Sequence, residues 1–305
     1  MKHLIDLNEV TLEEIESLFT LAAKLKSDVR KGVEHHLLKG KTLGMIFSKS
    51  STRTRVSFEV GMYQLGGYPM FLSSSDIQLG RGETIYDTAQ VLSRYISGIM
   101  IRTFKHTDVV DLAKYGMIPV INGLTDLMHP CQILADLFSV YEVKGRLQGL
   151  KMAYVGDGNN VANSLLQGCA KTGMDICVAT PAGYGCDDTI IEQAKHAAKK
   201  TGSKVILTED PVEAANDADV IYTDTWVSMG QEAEKEMRVK IFMPYQVNEE
   251  LFSKARKDAM FLHCLPAYRG LEVTEGIIDG PNSSVFEEAE NRLHIQKAIM
   301  ATLMA

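Results

Sequence analysis

A run of hydroxyl and guanidinium side chains, Ser51-Thr52-Arg53-Thr54-Arg55, stands between a short apolar segment and a helical pattern. A helix begins with backbone N–H groups that have no partner inside the helix and with the positive end of its dipole. Hydroxyls add donors, and forked guanidinium groups match the oxygens of a phosphate. The run suggests a phosphate site, although it also suits an ordinary helix cap beside two solvated arginines.

A second polar group, His129-Pro130-Cys131-Gln132, again stands at a predicted strand-to-helix junction. His129 can donate to a carbonyl oxygen, and Gln132 can both donate and accept. Such groups could hold an amide-like substrate and polarise its carbonyl. A purely structural explanation is also open, because proline suits the first position of a helix.

Polar residues follow two predicted strands in the second half of the chain. Gly156-Asp157-Gly158-Asn159-Asn160 resembles a degenerate dinucleotide turn, but the helix-side glycine is missing, which makes a nucleotide site a weak interpretation. Asp224 could bind an ammonium group, and Ser228 and Asn160 could hydrogen-bond a polar substrate. Ordinary turn formation would explain the same residue types.

His263-Cys264-Leu265-Pro266 ends a third predicted strand. Cys264 could be a nucleophile, a proton relay or a buried, inert thiol. A cysteine nucleophile would also need a base and an oxyanion hole, and the sequence alone places neither. These three interpretations stay open at this point.

The elements that must position these groups alternate between strands and helices. A first helix is predicted from Thr11, where Thr11 and Glu14 form a capping-box pattern. A polar, methionine-containing loop is predicted over 226–245. Predicted strands lie near 42–47, 69–72, 98–103, 118–122, 152–156, 176–180, 205–207, 220–225 and 260–265. This alternation predicts an α/β fold with parallel sheets covered on both faces, and ligands bound beyond the carboxyl ends of the strands.

The alternation restarts after a segment of glycines and basic residues at 144–150. We therefore predict two doubly wound parallel-sheet domains. The first comprises residues 1–145 and the second residues 146–286, and the final helix, 287–305, is expected to return to the first domain.

Composition narrows the function classes. The 305 residues are 45% hydrophobic and carry a formal net charge of -7, which argues against nucleic acid or an anionic membrane as the main partner. The five cysteines are scattered without paired spacing, as in reduced cytosolic proteins. Neither a signal-peptide pattern nor an apolar run of the ~20 residues that span a bilayer is found, so a cytoplasmic location is expected.

Taken in order, these groups resemble the aspartate and ornithine carbamoyltransferase superfamily. Its carbamoyl-phosphate half is matched by the 51–55 run, Arg102 and the 129–132 group. Asp224 with Ser228-Met229-Gly230, and the 263–266 group, look like the ornithine-type signatures. The resemblance extends from about residue 40 to the C-terminus.

The resemblance implies a role for each matching residue. Carbamoyl phosphate would be bound by Ser51, Thr52, Arg53, Thr54, Gln78, Arg102, His129, Gln132, Cys264, Leu265 and Arg292. Ornithine would be bound by Asn160, Asp224, Ser228 and Met229. Catalysis would fall to Cys264, Arg102, His129 and Asp224, with Cys264 orienting the amine and handling its proton. Gln78 is expected to act from a neighbouring subunit.

The resemblance also implies two α/β domains joined by two helices, a homotrimer or a multiple of trimers, and a 228–230 loop that closes over ornithine. No metal or organic cofactor is required. Three rival functions are weighed: a sister transferase for putrescine or an N-acylated ornithine, a non-catalytic binding protein and a nicotinamide dehydrogenase. The Ser228-Met229-Gly230 sequence argues against the sister transferase. The intact set of Arg53, Arg102, His129 and Cys264 argues against the binding protein, and the missing glycine after Asn160 argues against the dehydrogenase.

Overall fold

A computed structural model describes residues 1–227 and 232–305. It divides the chain into two compact units, Met1–Leu134 with Glu290–Ala305 (unit 1) and Ala135–Ala289 (unit 2). Both divisions fall inside continuous helices, α5 (Pro130–Lys144) and α12 (Val285–Met304). The domain boundaries predicted from the sequence, at 145/146 and 286/287, stay a prediction.

Unit 1 contains a parallel sheet in the order β2-β1-β3-β4. In chain order its elements are α1 (Leu12–Arg30), β1 (Thr42–Phe47), α2 (Thr52–Gln64), β2 (Tyr68–Ser73), a 3-10 helix (Gln78–Arg81), α3 (Ile85–Tyr95), β3 (Gly98–Arg102), α4 (His106–Tyr115) and β4 (Val120–Leu124). The Thr11–Glu14 capping box at the start of α1 is confirmed. Strands β1, β3 and β4 are almost entirely buried, as expected for a sheet covered on both faces.

Unit 2 contains a parallel sheet in the order β7-β6-β5-β8-β9. Its strands are β5 (Lys151–Val155), β6 (Asp175–Ala179), β7 (Val205–Thr208), β8 (Val220–Tyr222) and β9 (Met260–Leu262). Its helices are α6 (Asn160–Thr172), α7 (Asp188–Thr201), α8 (Pro211–Ala215), α9 (Lys235–Phe242), α10 (Glu249–Phe252) and α11 (Glu275–Ile278), with 3-10 helices at Glu232–Glu234 and Met243–Tyr245. The predicted fold class, α/β with two parallel-sheet domains, is confirmed.

The predicted loop over 226–245 is wrong in its second half, where α9 forms. The spacing of apolar residues did not predict this helix, because the buried residues of α9 are Arg238 and Phe242. A charged residue is not counted as a core position when apolar periodicity is analysed. Arg238 is buried because it has an acidic partner elsewhere in unit 2.

In each sheet the strand order reverses next to the first strand of the unit, between β1 and β3 and between β5 and β8. The loops that leave these strands are the expected ligand sites of doubly wound sheets. None of the helices in the described ranges combines the length and apolar character needed to cross a membrane.

Candidate functional site

The loop after β1 ends at the N-terminus of α2. Ser51 is the N-cap, and its Oγ accepts a hydrogen bond from the backbone N–H of Thr54 at 3.2 Å. The capping interpretation is therefore correct for Ser51. It does not account for Thr54, whose buried hydroxyl faces a guanidinium from the last helix.

Arg292 of α12 joins two of the predicted groups. Its Nη2 donates to Thr54 Oγ1 at 3.1 Å, and its Nη1 donates to Gln132 Oε1. All three side chains are buried. The last helix of the chain thus links the hydroxyl run after β1 to the polar group that opens α5.

His129 lies among three arginines, and we call Arg53, Arg102, His129 and Arg292 the cationic cluster. Burial, followed by the charges of Arg292, Arg102 and Arg53, lowers the pKa of His129 well below its usual value. The imidazole is therefore neutral near pH 7, with one N–H to donate and one nitrogen to accept. Three fixed positive charges beside a neutral donor form a site suited to a phosphate joined to a carbonyl.

The remaining predicted residues of unit 1 differ in exposure. Thr52 is exposed and Ser51 is half-buried at the start of α2. Gln78 is exposed at the start of its 3-10 helix.

In unit 2 the loops after β5, β8 and β9 bring together Asn159, Asp224 and Cys264, which we call the acceptor cluster. Cys264 Sγ donates to Asp224 Oδ1 at 3.1 Å, and the backbone N–H of Thr225 donates to the same oxygen at 2.7 Å. The amide nitrogen of Asn159 donates to Asp224 Oδ2 at 2.7 Å. Asp224 is buried, so these donors replace the water it would otherwise bind.

The thiol of Cys264 is held in its protonated form. Burial raises its pKa well above the usual value, and the neighbouring Asp224 and Glu288 raise it further. A thiol with these neighbours is a poor nucleophile but a competent hydrogen-bond donor. Of the three interpretations left open by the sequence, this geometry favours a group that orients and exchanges protons over a covalent nucleophile.

The other predicted site residues of unit 2 lie close along the chain to this cluster. Asn160 is the first residue of α6 and is half-buried. Leu265 follows Cys264 with a φ of 55°, a left-handed conformation that is strained for a branched side chain. Ser228 and Met229 lie outside the described residues.

Sequence reasoning missed Arg238, which connects two of the loops. Its Nη2 donates to Asp157 Oδ2 and its Nε donates to the backbone oxygen of Trp226, both at 2.5 Å. Burial raises the pKa of Asp157 to about 6, against the opposing effect of the Arg238 charge. In the sequence, Asp157-Gly158 is typical of a turn and does not indicate that Asp157 pairs with a buried arginine.

Three side chains of unit 2 lie close enough together to be considered as metal ligands. Ligand atoms of Asp224, His263 and Cys264 lie within 4.8 Å of one another. Both ring nitrogens of His263 are already engaged, Nδ1 by the backbone N–H of Leu265 at 2.9 Å and Nε2 by Glu272 at 3.3 Å. A metal held by this trio would have to displace one of those bonds.

Known proteins share both halves of the chain. Residues 2–142 match the carbamoyl-P binding domain, and residues 148–303 the Asp/Orn binding domain, of the aspartate/ornithine carbamoyltransferase family. Ornithine carbamoyltransferase of Caldicellulosiruptor saccharolyticus is 61% identical over 300 residues, 98% of this chain and 97% of that protein.

Two solved structures are similar along their whole length. Ornithine carbamoyltransferase from Pyrococcus furiosus has a TM-score of 0.97 and 55% identity, covering 99% of this chain and 97% of that one. Anabolic ornithine carbamoyltransferase from Campylobacter jejuni has a TM-score of 0.92 and 44% identity, covering 99% of each chain.

Each of the two α/β units contains a parallel sheet. One unit holds the cationic cluster and the other holds the carboxylate–thiol pair of Asp224 and Cys264, and together with these matches they define a two-domain carbamoyltransferase. The chain belongs to the aspartate/ornithine carbamoyltransferase family. The family predicted from the sequence motifs is thereby confirmed.

Proposed function

We propose that this chain transfers the carbamoyl group of carbamoyl phosphate to the δ-amine of L-ornithine, giving L-citrulline and phosphate. The observation that carries the proposal is the cationic cluster, in which the charges of three arginines and burial keep His129 neutral by lowering its pKa. This arrangement suits a substrate that joins a phosphate to a polarisable carbonyl. The relatives named ornithine carbamoyltransferase support ornithine as the acceptor.

Carbamoyl phosphate is assigned to the domain formed by residues 1–145 and 287–305. Its phosphate is bound by the start of α2 and by Arg53, and its carbonyl oxygen by Arg102, His129 and Thr54. The proposed ligands are Ser51, Thr52, Arg53, Thr54, Gln78, Arg102, His129, Gln132, Cys264, Leu265 and Arg292.

L-Ornithine is assigned to the domain of residues 146–286. Asp224 binds an ammonium group, Asn160 and Ser228 hydrogen-bond the amino-acid end, and Met229 contacts the acceptor. The contacts of Asp224 with Asn159, Thr225 and Cys264 support this assignment, because they hold its carboxylate in one orientation.

The reaction begins with loss of a proton from the δ-ammonium group, whose pKa is near ~10 in water. The free amine attacks the carbonyl carbon, and negative charge develops on the carbonyl oxygen. Positioned donors to such an oxygen are worth about 3–4 kcal/mol each. The carbon–oxygen bond to phosphate then breaks, and phosphate leaves with the bonding electron pair. The attacking nitrogen passes its extra proton to the leaving phosphate, the proton lost at the start goes to solvent, and the new C–N bond remains in neutral citrulline.

A citrulline assay with a panel of amines tests the proposal. Carbamoyl phosphate and L-ornithine should give citrulline, while putrescine and an N-acylated ornithine should react far more slowly. A protein that carbamoylated putrescine and not ornithine would refute the assignment of the acceptor. A protein that bound carbamoyl phosphate without transfer to any amine would favour a binding protein.

We also propose that the chain forms a homotrimer or a multiple of trimers. Support comes from apolar side chains exposed on unit 1 around its edge strand β2, namely Val56, Val60, Tyr63, Tyr68 and Phe71. Exposed apolar patches commonly mark protein interfaces. Light scattering of the purified protein tests this assembly, and a monomer would contradict it.

For location and pathway, we propose a cytoplasmic enzyme of arginine biosynthesis. The five cysteines, all within the described part of the chain, are free thiols, as expected in a reducing compartment. The similar Campylobacter jejuni protein described as anabolic supports the biosynthetic direction. Deleting the gene in its host should then make growth depend on added arginine, whereas a catabolic enzyme would leave growth without arginine unchanged.

A further inference from the structure

Asn159 is a member of the acceptor cluster that belongs to no predicted set of substrate ligands. It is the N-cap of α6, and its Oδ1 accepts hydrogen bonds from the backbone N–H groups of Val161 at 2.9 Å and Ala162 at 3.2 Å. Its Nδ2 donates to Asp224 Oδ2 at 2.7 Å. One side chain therefore serves both a helix start and the carboxylate of the acceptor cluster.

The helix start fixes which end of the amide faces Asp224. Backbone N–H groups can only donate, so the amide oxygen must lie on α6 and the amide nitrogen must point away from it. The nitrogen then meets the carboxylate of Asp224. Because α6 holds the oxygen twice, the amide cannot rotate without losing two hydrogen bonds.

The hydrogen bond from Asn159 and those from the other donors of Asp224 reach different oxygens of the carboxylate. Thr225 and Cys264 both donate to Oδ1, whereas Asn159 donates to Oδ2. A carboxylate held at both oxygens cannot rotate about its last bond, and each oxygen has two acceptor positions. Acceptor capacity therefore remains for a substrate ammonium group at a fixed place.

We infer that Asn159 is a positioning residue for the acceptor amino acid: it transmits the rigidity of the α6 N-terminus to Asp224 and so orients the carboxylate that binds the ammonium group. The inference rests on the proposed function, since it takes Asp224 to be the ligand of ornithine. Asn159 itself need not touch the substrate.

A simpler role for Asn159 is capping alone, and the two roles predict different variants. Asparagine, aspartate and serine are all good N-caps. If Asn159 only caps α6, then Asn159→Ser should behave as the unchanged protein. If it positions Asp224, both variants lose the donor, and Asn159→Asp also places a second carboxylate against Asp224, where two negative charges repel.

The experiment measures steady-state citrulline formation by the full-length protein and both variants, with each substrate varied in turn. Asn159→Asp should raise the KM for ornithine at least about ten-fold, because it loses the charge-assisted hydrogen bond and also adds a repelling carboxylate. Asn159→Ser loses the bond alone and should raise the KM by a smaller factor that still exceeds about two-fold. The KM for carbamoyl phosphate should stay within about two-fold in both, because its proposed phosphate and carbonyl ligands lie on unit 1.

Asn248→Asp is the matched control, because Asn248 caps α10 in the same unit through its Oδ1 and the backbone N–H of Leu251. It should leave both KM values unchanged. Thermal unfolding of each variant reports on the cap, and Asn159→Ser should melt close to the unchanged protein.

Two outcomes would overturn the inference. One is an ornithine KM within about two-fold of the unchanged protein in Asn159→Ser, which is the result of equal caps whatever Asn159→Asp does. The other is a parallel rise of both KM values, which would indicate general damage. If the unchanged protein formed no citrulline, the proposed function itself would be wrong. Activity of the unchanged protein therefore tests the function, and comparison with the variants tests the inference.

Discussion

Arg292 and Thr54, 238 positions apart in the chain, form a direct hydrogen bond of 3.1 Å between Nη2 and Oγ1. The same guanidinium donates to Gln132. The C-terminal helix therefore contributes Arg292 to the cationic cluster, whose other residues come from the first half of the sequence. A single side chain fixes two groups that the proposed function assigns to one substrate.

The first prediction concerns this link. Arg292→Met should raise the KM for carbamoyl phosphate by ~10-fold or more, since charge-assisted bonds contribute about 1.5–3 kcal/mol each. Arg292→Lys should recover little, because an ammonium group cannot donate to Thr54 and Gln132 with the same forked geometry. Steady-state kinetics checks this, and equal activity of the lysine and arginine proteins would contradict it.

The second prediction compares the two arginines of the 51–55 run. Arg53 acts electrostatically on His129, whereas Arg55 pairs with Glu59 at 3.0 Å and lies 3.7 Å from the centre of the Phe71 ring. Arg53→Ala should weaken carbamoyl phosphate binding by a factor on the order of 10 to 100. Arg55→Ala, the matched control, should leave that affinity nearly unchanged. Titration calorimetry with carbamoyl phosphate distinguishes them, and equal losses would contradict the assignment.

The third prediction uses the reactivity of Cys264. Its pKa is raised by burial and by Asp224, so little thiolate is present at pH 8 and alkylation by iodoacetamide should be slow. Asp224→Asn removes the negative charge that disfavours the thiolate, so the pKa should fall and alkylation should accelerate. Peptide mass spectrometry measures the rate.

Cys186 provides an internal control for the same measurement. Its pKa is raised to about 12 by burial and by Asp157 and Asp187, and Asp224 is not among these causes. Its alkylation rate should therefore not respond to Asp224→Asn. If Cys264 reacted at the same rate with and without Asp224, the carboxylate would not control the thiol.

The fourth prediction concerns stability in acid. Burial and Lys297 lower the pKa of His294 to about 4 in the folded protein, against a value near ~6.5 when unfolded. Between these values the unfolded chain binds the extra proton, so the free energy of unfolding should rise with pH from about 4 to about 6.5.

His294→Gln removes this titration and should flatten that part of the pH dependence. Denaturant unfolding at several pH values measures the slope. His196→Gln, at an exposed histidine on α7, is the control and should leave the slope unchanged. An unaltered slope in His294→Gln would contradict the prediction.

The sequence predicted the strands well because their apolar runs are continuous and the polar turns between them are clear, as at β1 and β5. It failed at α9. There the buried face depends on Arg238, whose burial is compensated by its partners Asp157 and the backbone oxygen of Trp226. A helix that contributes a charge to the interior does not show the pattern of a helix that contributes apolar side chains.

By itself, the sequence determined the order of the elements and the chemical types available at the strand ends, because periodicity and residue type are local properties. The tertiary structure decided which groups meet. Arg292 reaches Thr54, and Asn159 reaches Asp224, through hydrogen bonds between segments far apart in the chain. Such bonds depend on distance and direction to within tenths of an ångström, and only the packed arrangement of strands and helices within each unit supplies these.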